Sequence, residues 1–247
     1  MQNLRISVIT VCLNASKTIE QTILSIINQT YDNIEYIIID GVSTDGTLDI
    51  IKKYESKISL CQSEPDNGIY DAMNKGLKLA TGDFLIFMGA DDVFYNENVI
   101  YKVASEIDNY DDIYYGSVIF KGTNTIHWGK FSRLKWASAN VCHQAVFYPK
   151  VVYKQYNYDT SYVVCADYIY NLNLIKCAYQ FKFINEIVTL FDITGYSSYA
   201  LDEKFQKDFA GIMVKTVGVI PYIGGIFVRK IVFPIFDLIA KIRNRCQ

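Results

Sequence analysis

Residues 81–92 read TGDFLIFMGADD, and this stretch decides the fold. Five consecutive apolar residues, 84–88, stand between turn residues, which predicts a strand that is covered on both of its faces. Covered strands are typical of parallel sheets in α/β domains, which bind their ligands at the carboxyl edge of the sheet. The strand is therefore expected to deliver Asp91 and Asp92 to a ligand-binding edge.

Two adjacent carboxylates at such an edge repel each other, and a divalent cation between them would relieve the repulsion. Oxygen ligands suit Mg²⁺ or Mn²⁺, so one interpretation of Asp91 and Asp92 is a metal site that holds a phosphate. The other interpretation is that one of these carboxylates caps the helix predicted to begin near Val99.

The segments before residue 81 repeat one order, a strand pattern followed by apolar residues at helical spacing. The strand patterns lie at residues 5–11, 35–39 and 58–62. This order predicts a parallel sheet with right-handed crossovers. Asp40 and Asp66 follow two of these strands, so we expect them at the same edge as Asp91. No glycine-rich dinucleotide or Walker-type phosphate pattern occurs.

Composition narrows the class of protein further. The chain has 247 residues and a formal net charge of −2, which argues against general nucleic-acid binding. Its six cysteines show neither a disulfide rhythm nor zinc-site spacing, and no signal-peptide pattern opens the chain. We therefore expect a cytoplasmic protein. Twenty tyrosines suit either sugar-stacking surfaces or half-buried sheet faces.

The second half of the chain contributes two further candidates. His143 and Gln144 precede a strand pattern and could contact a phosphate oxygen or an acceptor hydroxyl, or His143 could be a buried, hydrogen-bonded histidine. Asp167 begins a helical pattern, where it could cap the helix or serve as a catalytic carboxylate.

Three segments together carry a resemblance to a known family. Residues 10–15 (TVCLNA), 39–47 (IDGVSTDGT) and 89–92 (GADD) resemble the family 2 glycosyltransferases of the GT-A fold. Residues 64–76 are similar to a branch that builds bacterial surface polysaccharides. The resemblance implies a mostly parallel sheet with flanking helices, in a catalytic domain over residues 1–200. Residues 1–120 would form its nucleotide-sugar half and residues 121–200 its acceptor half.

The resemblance also implies roles for individual residues. Asp91 and Asp92 would hold Mn²⁺ or Mg²⁺, and Asp167 would be the catalytic base. His143 and Gln144 stay candidates for the acceptor or phosphate from their own position before a strand. The residues expected to bind the nucleotide sugar are Thr10, Asn14, Asp40, Asp66, Lys75 and Asp91.

The chain departs from the family pattern at three positions. Gly89 replaces the first acid of the frequent Asp-x-Asp metal motif. Met73 stands where many relatives carry an arginine, which leaves Lys75 as a candidate diphosphate partner or a solvated helix lysine. Ala166 replaces the glutamate of a frequent Glu-Asp pair.

The last segment, 201–247, differs in kind, because residues 210–247 are rich in Ile, Val and Phe, Gly and Pro interrupt them, and cations gather toward the end. Its longest uncharged stretch, 216–228, is shorter than the roughly 20 residues of a spanning helix. We expect an amphipathic helical appendage that lies on the membrane surface. A helix packed on the catalytic domain, or a homodimer contact, are the alternatives.

These observations predict an inverting, metal-dependent glycosyltransferase, peripheral on the inner face of the cell membrane. It would move one sugar from a nucleotide sugar, UDP-linked, to a lipid-diphosphate-linked saccharide in O-antigen or capsule synthesis. The Gln-x-x-Arg-Trp motif of processive family members is absent, which favours single addition. The alternatives are a non-catalytic nucleotide-sugar-binding subunit and a sugar-phosphate nucleotidyltransferase.

Overall fold

A nine-stranded sheet with helices on both faces organises the part of the chain described by this computed structural model, residues 3–123, 126–127, 129–192, 202–228 and 230. The strands are β1 (Ile6–Cys12), β2 (Ile34–Asp40), β3 (Leu60–Ser63), β4 (Phe84–Gly89), β5 (Val93–Phe94), β6 (Ile113–Phe120), β7 (Ile126–His127), β8 (Val146–Pro149) and β9 (Phe181–Phe191). The helices are α1 (Ile19–Ile27), α2 (Thr47–Lys52), α3 (Ile69–Leu79), α4 (Val99–Glu106), α5 (Arg133–Ser138), α6 (Lys150–Tyr153), α7 (Ala166–Lys176), α8 (Glu203–Val217) and α9 (Val219–Phe227).

The sheet has a parallel half and a mixed half. Its order is β3-β2-β1-β4-β8-β6-β9-β5, with β7 paired to β6. The strands β3, β2, β1 and β4 are all parallel, as predicted, whereas β8 runs antiparallel to both β4 and β6. Parallel pairing returns between β6 and β9. The α/β fold is confirmed, and the carboxyl ends of β1, β2 and β4 meet at one edge.

The interpretation of Asp91 or Asp92 as a helix cap is wrong. The next helix, α4, begins at Val99 and its N-cap is Asn98. The short strand β5 lies between the two acids and that helix. The carboxylates therefore have no capping role at α4.

Each face of the sheet carries its own apolar layer. Helices α1 and α4 cover one face, and α3, α5, α7 and α8 cover the other. In α3, a Cβ added to Gly76 would lie 2.7 Å from Cγ2 of Ile9, so only glycine lets this helix pack directly over β1. This close packing places the start of α3 beside the carboxyl edge of the sheet.

The two C-terminal helices pack on the domain. Phe209, Met213 and Val217 of α8 are buried in the same layer as α3 and α7. In α9, a Cβ on Gly225 would lie 2.6 Å from the carbonyl oxygen of Ala137, so α9 touches the backbone of α5. Among the described helices, none is long and apolar enough to cross a membrane. Residue 200, the predicted domain boundary, and residues 231–247 lie outside the described residues.

At the opposite edge of the sheet, where the parallel strands begin, the buried Glu35 of β2 links Thr81 to β1. Glu35 accepts hydrogen bonds from Ser7 Oγ (2.5 Å) and from the backbone nitrogen and Oγ1 of Thr81 (2.7 and 2.6 Å). The Arg5 guanidinium lies 3.1 Å away. Burial by itself would raise the pKa of Glu35, but these hydrogen bonds outweigh it and hold the pKa below its usual value.

We predict that Glu35→Gln lowers the free energy of unfolding by about 1–3 kcal/mol at pH 7, because buried donors lose a charged acceptor. Since the pKa is lower in the folded state, this stabilisation is present above the unfolded value of about 4.3 and is lost as pH falls through the folded pKa. Urea unfolding at pH 7, 5 and 3 measures it. The control is Glu55→Gln at an exposed position. A difference from wild type that does not shrink between pH 5 and pH 3 would contradict the assignment.

Candidate active site

A cleft of about 990 Å³ opens at the carboxyl edge of the parallel strands. Its walls are residues 11–18 at and after the end of β1, 66–73 around the start of α3, 87–92 around the end of β4, and 140–144 before β8. Residues between 160 and 167, near the start of α7, also line it, together with Asp45, Phe191 and Asp192. The cleft therefore spans both halves of the sheet.

Asp91 and Asp92 converge at the end of β4. A Cβ on Gly89 would lie 2.5 Å from Asp92 Oδ2 and 2.9 Å from Asp91 Oδ1, so both carboxylates approach one point. Burial, with the charge of Asp91 added, raises the pKa of Asp92 to about 7. Burial also raises the pKa of Asp91, and the nearby Asp192 adds to the effect. The Asp91 and Asp92 carboxylates occupy the space beside Gly89, so a side chain at position 89 would require both of them to move.

The two carboxylates differ in their surroundings. Asp92 is 1% exposed, and its oxygens accept hydrogen bonds from Gln144 Nε2 (2.9 Å) and the backbone nitrogen of Asp192 (2.7 Å). Asp91 is only partly buried. Crowded carboxylates with raised pKa values fit a divalent cation, because a positive charge between them would remove the repulsion. Within the described ranges, no group of three or more His, Cys, Asp or Glu side chains is arranged to hold a metal. Other ligands would have to come from the substrate or water.

The loops after β1 and β2 are joined by hydrogen bonds. Asn14, in the left-handed region at φ 52°, accepts a hydrogen bond from the backbone nitrogen of Thr44 (2.9 Å), and its own backbone nitrogen donates to Ser43 Oγ (2.8 Å). Asp45 accepts from the backbone nitrogen of Ser16 (3.0 Å). The Ser-Thr-Asp-Gly-Thr element therefore shapes the cleft wall through the β1 loop.

Asp40 holds the loop after β2 through hydrogen bonds beneath the cleft wall. It is fully buried and accepts hydrogen bonds from the Ser43 backbone nitrogen (3.0 Å) and Ser63 Oγ (2.6 Å). Burial would raise the pKa of Asp40, but the hydrogen bonds from Ser43 and Ser63 outweigh it and lower the pKa. Asp40 does not line the cleft.

Two other predicted nucleotide-site residues also lie behind the cleft wall. Thr10 is fully buried, and its Oγ1 accepts a hydrogen bond from Tyr36 (3.3 Å). Lys75 donates to the carbonyl oxygen of Pro65 (2.6 Å) and pairs with Glu64 (2.9 Å), so it holds the loop before α3. Of the six predicted positions, Asn14, Asp66 and Asp91 line the cleft, and Thr10, Asp40 and Lys75 do not.

Asp167 lines the cleft from the start of α7. Its carboxylate accepts hydrogen bonds from Tyr70 Oη (3.1 Å), Asn140 Nδ2 (2.8 Å) and the backbone nitrogen of Tyr168 (2.8 Å). His143 Nδ1 lies 3.2 Å from Asp167 Oδ2. The N-cap of α7 is Cys165, so Asp167 lies in the first turn and directs its other hydrogen bonds into the cleft wall.

Several site residues were not anticipated from the sequence. Asn140 and Tyr70 hold Asp167, and their positions in helical or irregular segments gave no signal. Lys121 follows β6 and Asp192 follows β9, so both stand where a strand ends. The Lys121 amine contacts the carbonyl oxygen of Asp91 and lies 3.7 Å from the Asp192 carboxylate. Polar residues at the ends of those two predicted strands were the available signal.

Comparison with known proteins decides the family. Residues 7–177 match the family described as Glycosyl transferase family 2. The chain belongs to this family of glycosyltransferases. The nucleotidyltransferase and the non-catalytic subunit are therefore set aside. A curated relative, the PGL/p-HBAD biosynthesis glycosyltransferase of Mycobacterium tuberculosis, is 34% identical over 212 residues, which cover 81% of this glycosyltransferase and 82% of the relative.

Solved structures show the same fold. The S. aureus TarS 1-349 structure gives a TM-score of 0.73 at 18% identity, covering 92% of this glycosyltransferase and 73% of that chain. A longer TarS chain is covered over only 38% of its length. The Pyrobaculum calidifontis mannosyltransferase PcManGT, in complex with GDP-Man and Mn2+, gives 0.62 at 18% identity, covering 77% and 57% of the two chains. At these identities the likeness concerns the fold alone.

We predict that Gly89→Ala abolishes most glycosyltransferase activity, because the new Cβ would force Asp92 away from Gln144 and Asp192. Loss of these buried hydrogen bonds, about 1–3 kcal/mol, should also lower the melting temperature. Activity assays and calorimetry measure the two effects. Gly211→Ala is the matched control, because a Cβ there meets no atom within 4 Å. Wild-type activity in Gly89→Ala would show that the carboxylates need not converge.

Proposed function

We propose that this glycosyltransferase moves one sugar from a nucleotide sugar, UDP-linked, to a saccharide on a lipid diphosphate carrier. The pathway would be the synthesis of a surface polysaccharide or glycolipid. The observation that carries the proposal is that carboxylates from two halves of the fold, Asp91 after β4 and Asp167 in α7, line one cleft. Sugar transfer needs a group that stabilises the negative charge on the departing diphosphate and a base that takes the proton of the acceptor hydroxyl. Asp91 is the candidate for the first role and Asp167 is the candidate for the second.

The names of related proteins support the choice of substrates. One relative takes part in PGL/p-HBAD biosynthesis. Bacillus subtilis TuaG, putatively of teichuronic acid biosynthesis, is 40% identical over 90 residues, or 35% of this chain. A TarS structure is a complex with UDP-GlcNAc. All three are consistent with a nucleotide-sugar donor and a cell-surface product.

On the donor side, Asp91 and Asp92 would hold Mn²⁺ or Mg²⁺. When bound, the cation would neutralise charge that develops on the departing diphosphate. Asn14 and Asp66 line the same cleft and are the proposed contacts to the nucleotide. Thr10, Asp40 and Lys75 lie behind the cleft wall, and their hydrogen bonds to other protein groups hold that wall in place.

On the acceptor side, a base must take the proton of the incoming hydroxyl. The Asp167 carboxylate provides this function, directly or through the imidazole of His143 that it contacts. Attack on the face opposite the diphosphate would invert the anomeric centre.

Two substitutions separate donor binding from turnover. Asp91→Asn should abolish metal-dependent binding of the UDP-sugar, because it removes a charged ligand. Asp167→Asn should leave donor binding intact and lower kcat by about 10²–10⁴-fold, the usual contribution of a general base. Calorimetry with Mn²⁺ measures binding, and mass spectrometry of products measures transfer. Asp32→Asn, at an exposed position, is the control.

The outcomes discriminate between roles. Unchanged kcat in Asp167→Asn would leave this residue with a structural role in α7. Donor binding that Asp91→Asn does not alter would remove the metal assignment. A wild-type protein that binds no nucleotide sugar from a broad panel would overturn the proposed function itself.

We further propose that α9 rests on the inner face of the cell membrane and brings the cleft to lipid-linked acceptors. Four apolar side chains of this helix are more than half exposed, Ile220 at 84%, and Val219, Ile223 and Phe227 with it. In the sequence, cations follow this helix at Arg229 and Lys230. An apolar face beside cations suits anionic lipid surfaces.

We predict that Ile220→Glu combined with Ile223→Glu abolishes co-sedimentation with vesicles that contain phosphatidylglycerol. Substitution is preferable to deletion from residue 211, which would remove Met213 and Val217 from the core. Tyr101→Glu on α4, which covers the opposite face of the sheet, is the exposed control. If the double variant still pellets with vesicles, α9 is not the anchor. If it instead turns dimers into monomers, this face is a homodimer contact.

A further inference from the structure

Asp167 is surrounded by hydrogen-bond donors. A carboxylate offers about four acceptor positions on its two oxygens. Three of them are occupied by the Tyr70 hydroxyl, the Asn140 amide and the Tyr168 backbone nitrogen. The fourth contact is His143 Nδ1, 3.2 Å from Oδ2. An incoming hydroxyl therefore has no vacant acceptor position on Asp167.

Hydrogen bonds link Asn140 to two buried side chains. The Tyr148 hydroxyl donates to Asn171 Oδ1 (2.8 Å), and Asn171 Nδ2 donates to Asn140 Oδ1 (3.0 Å). An ionised carboxylate can only accept, so Asn140 presents its Nδ2 to Asp167 and its Oδ1 to Asn171. Tyr148 and Asn171 are almost fully buried, and this orientation gives each of them a partner. The orientation of both amides thus agrees with Asp167 as the acceptor.

The tautomer of His143 follows from this arrangement. Because Asp167 can only accept, Nδ1 of the neutral imidazole carries the hydrogen, and Nε2 keeps its lone pair. Nε2 has no hydrogen-bond partner among the residues that the structure describes, and His143 lines the cleft. The ring is therefore oriented as a base whose free nitrogen is available to a ligand.

We propose that His143 is the catalytic base for sugar transfer and that Asp167 is the residue that positions it. This inference rests on the proposed function. The acceptor O–H bond breaks and its proton bonds to Nε2 through the ring's lone pair. The acceptor oxygen bonds to the anomeric carbon of the nucleotide sugar, and the bond from that carbon to the diphosphate oxygen breaks, its electron pair staying on the diphosphate. The imidazolium then returns its proton to solvent.

The electrostatics of the cleft suit this division of roles. Histidine is the side chain most often used as a general base, and its free Nε2 lies in the cleft, whereas both oxygens of the Asp167 carboxylate already accept hydrogen bonds. Asp167 at Nδ1 stabilises the imidazolium as it forms. Asp91 and Asp92 face the same cleft and interact electrostatically with His143.

Kinetics provide the first test. His143→Gln should lower kcat by about 10²–10⁴-fold, while the dissociation constant of the UDP-sugar stays within about two-fold. Added imidazole should restore at least about ten-fold activity to His143→Gly and none to Asp167→Asn. The chain's other histidine provides the control, His127→Gln. Melting temperatures show that the variants are folded.

Two kinetic results would overturn the inference. If His143→Gln keeps kcat within about three-fold of wild type, Asp167 is the direct base. If His143→Gln instead raises the dissociation constant of the UDP-sugar, and imidazole restores no activity to His143→Gly, then His143 is a phosphate ligand.

A spectroscopic test does not depend on activity. The chain has only two histidines, so imidazole ¹⁵N spectra contain two sets of signals, and His127→Gln assigns them. We expect the Nδ1–H tautomer at His143 in the wild type and its loss in Asp167→Asn. An Nε2–H tautomer in the wild type would overturn the inference even if transfer is observed. If the Nδ1–H tautomer is present but no nucleotide sugar is bound or transferred, the hydrogen-bond arrangement holds and the proposed function fails.

Discussion

The burial of the Asp92 carboxylate is the constraint on which the rest of the site depends. This group lies at the end of β4, where a charge is costly unless it is hydrogen-bonded. Its two oxygens take donors from Gln144, which precedes β8, and from Asp192, which follows β9. Its backbone oxygen accepts from Thr22 of α1 (2.7 Å). One residue thus joins the parallel half of the sheet to the mixed half and to a covering helix.

Three other buried acids, Glu35, Asp40 and Asp167, also accept hydrogen bonds from several segments of the chain. Glu35 accepts hydrogen bonds from β1 and the turn before β4, and Asp40 accepts them from the loop after β2 and the last residue of β3. Asp167 accepts them from α3, α7 and the segment before β8. Each buried carboxylate is therefore a point where chain-distant segments are held together. Removing a carboxylate from water is unfavourable unless several hydrogen-bond donors replace the water. Because one segment rarely supplies that many donors, a buried acid links several segments.

This organisation separates two kinds of polar residue around the cleft. Asn14, Asp66, Asp91 and His143 have side chains that a ligand can reach. Asp40 and Lys75 are engaged with protein groups outside the cleft lining, and Gln144 lines the cleft but donates its amide to Asp92. A similar division holds in the C-terminal helices, where α8 completes the core and α9 leaves apolar side chains uncovered. Position along the chain does not distinguish these roles, since both kinds occur in the same short segments.

Local sequence patterns were sufficient to predict the parallel half of the sheet, the family, and the acids at the carboxyl edge of that sheet. An unbroken apolar run such as residues 84–88 is stable as a strand that is buried on both faces of a parallel sheet. An acid directly after such a strand therefore lies at the carboxyl edge of the sheet. Only the tertiary structure decided which acids face the cleft. The donors to the Asp92 side chain lie 52 and 100 residues away in the chain, and the Tyr70 hydroxyl that donates to Asp167 lies 97 residues away. Hydrogen bonds between such segments leave no pattern in local sequence, because each partner alone is an ordinary polar residue.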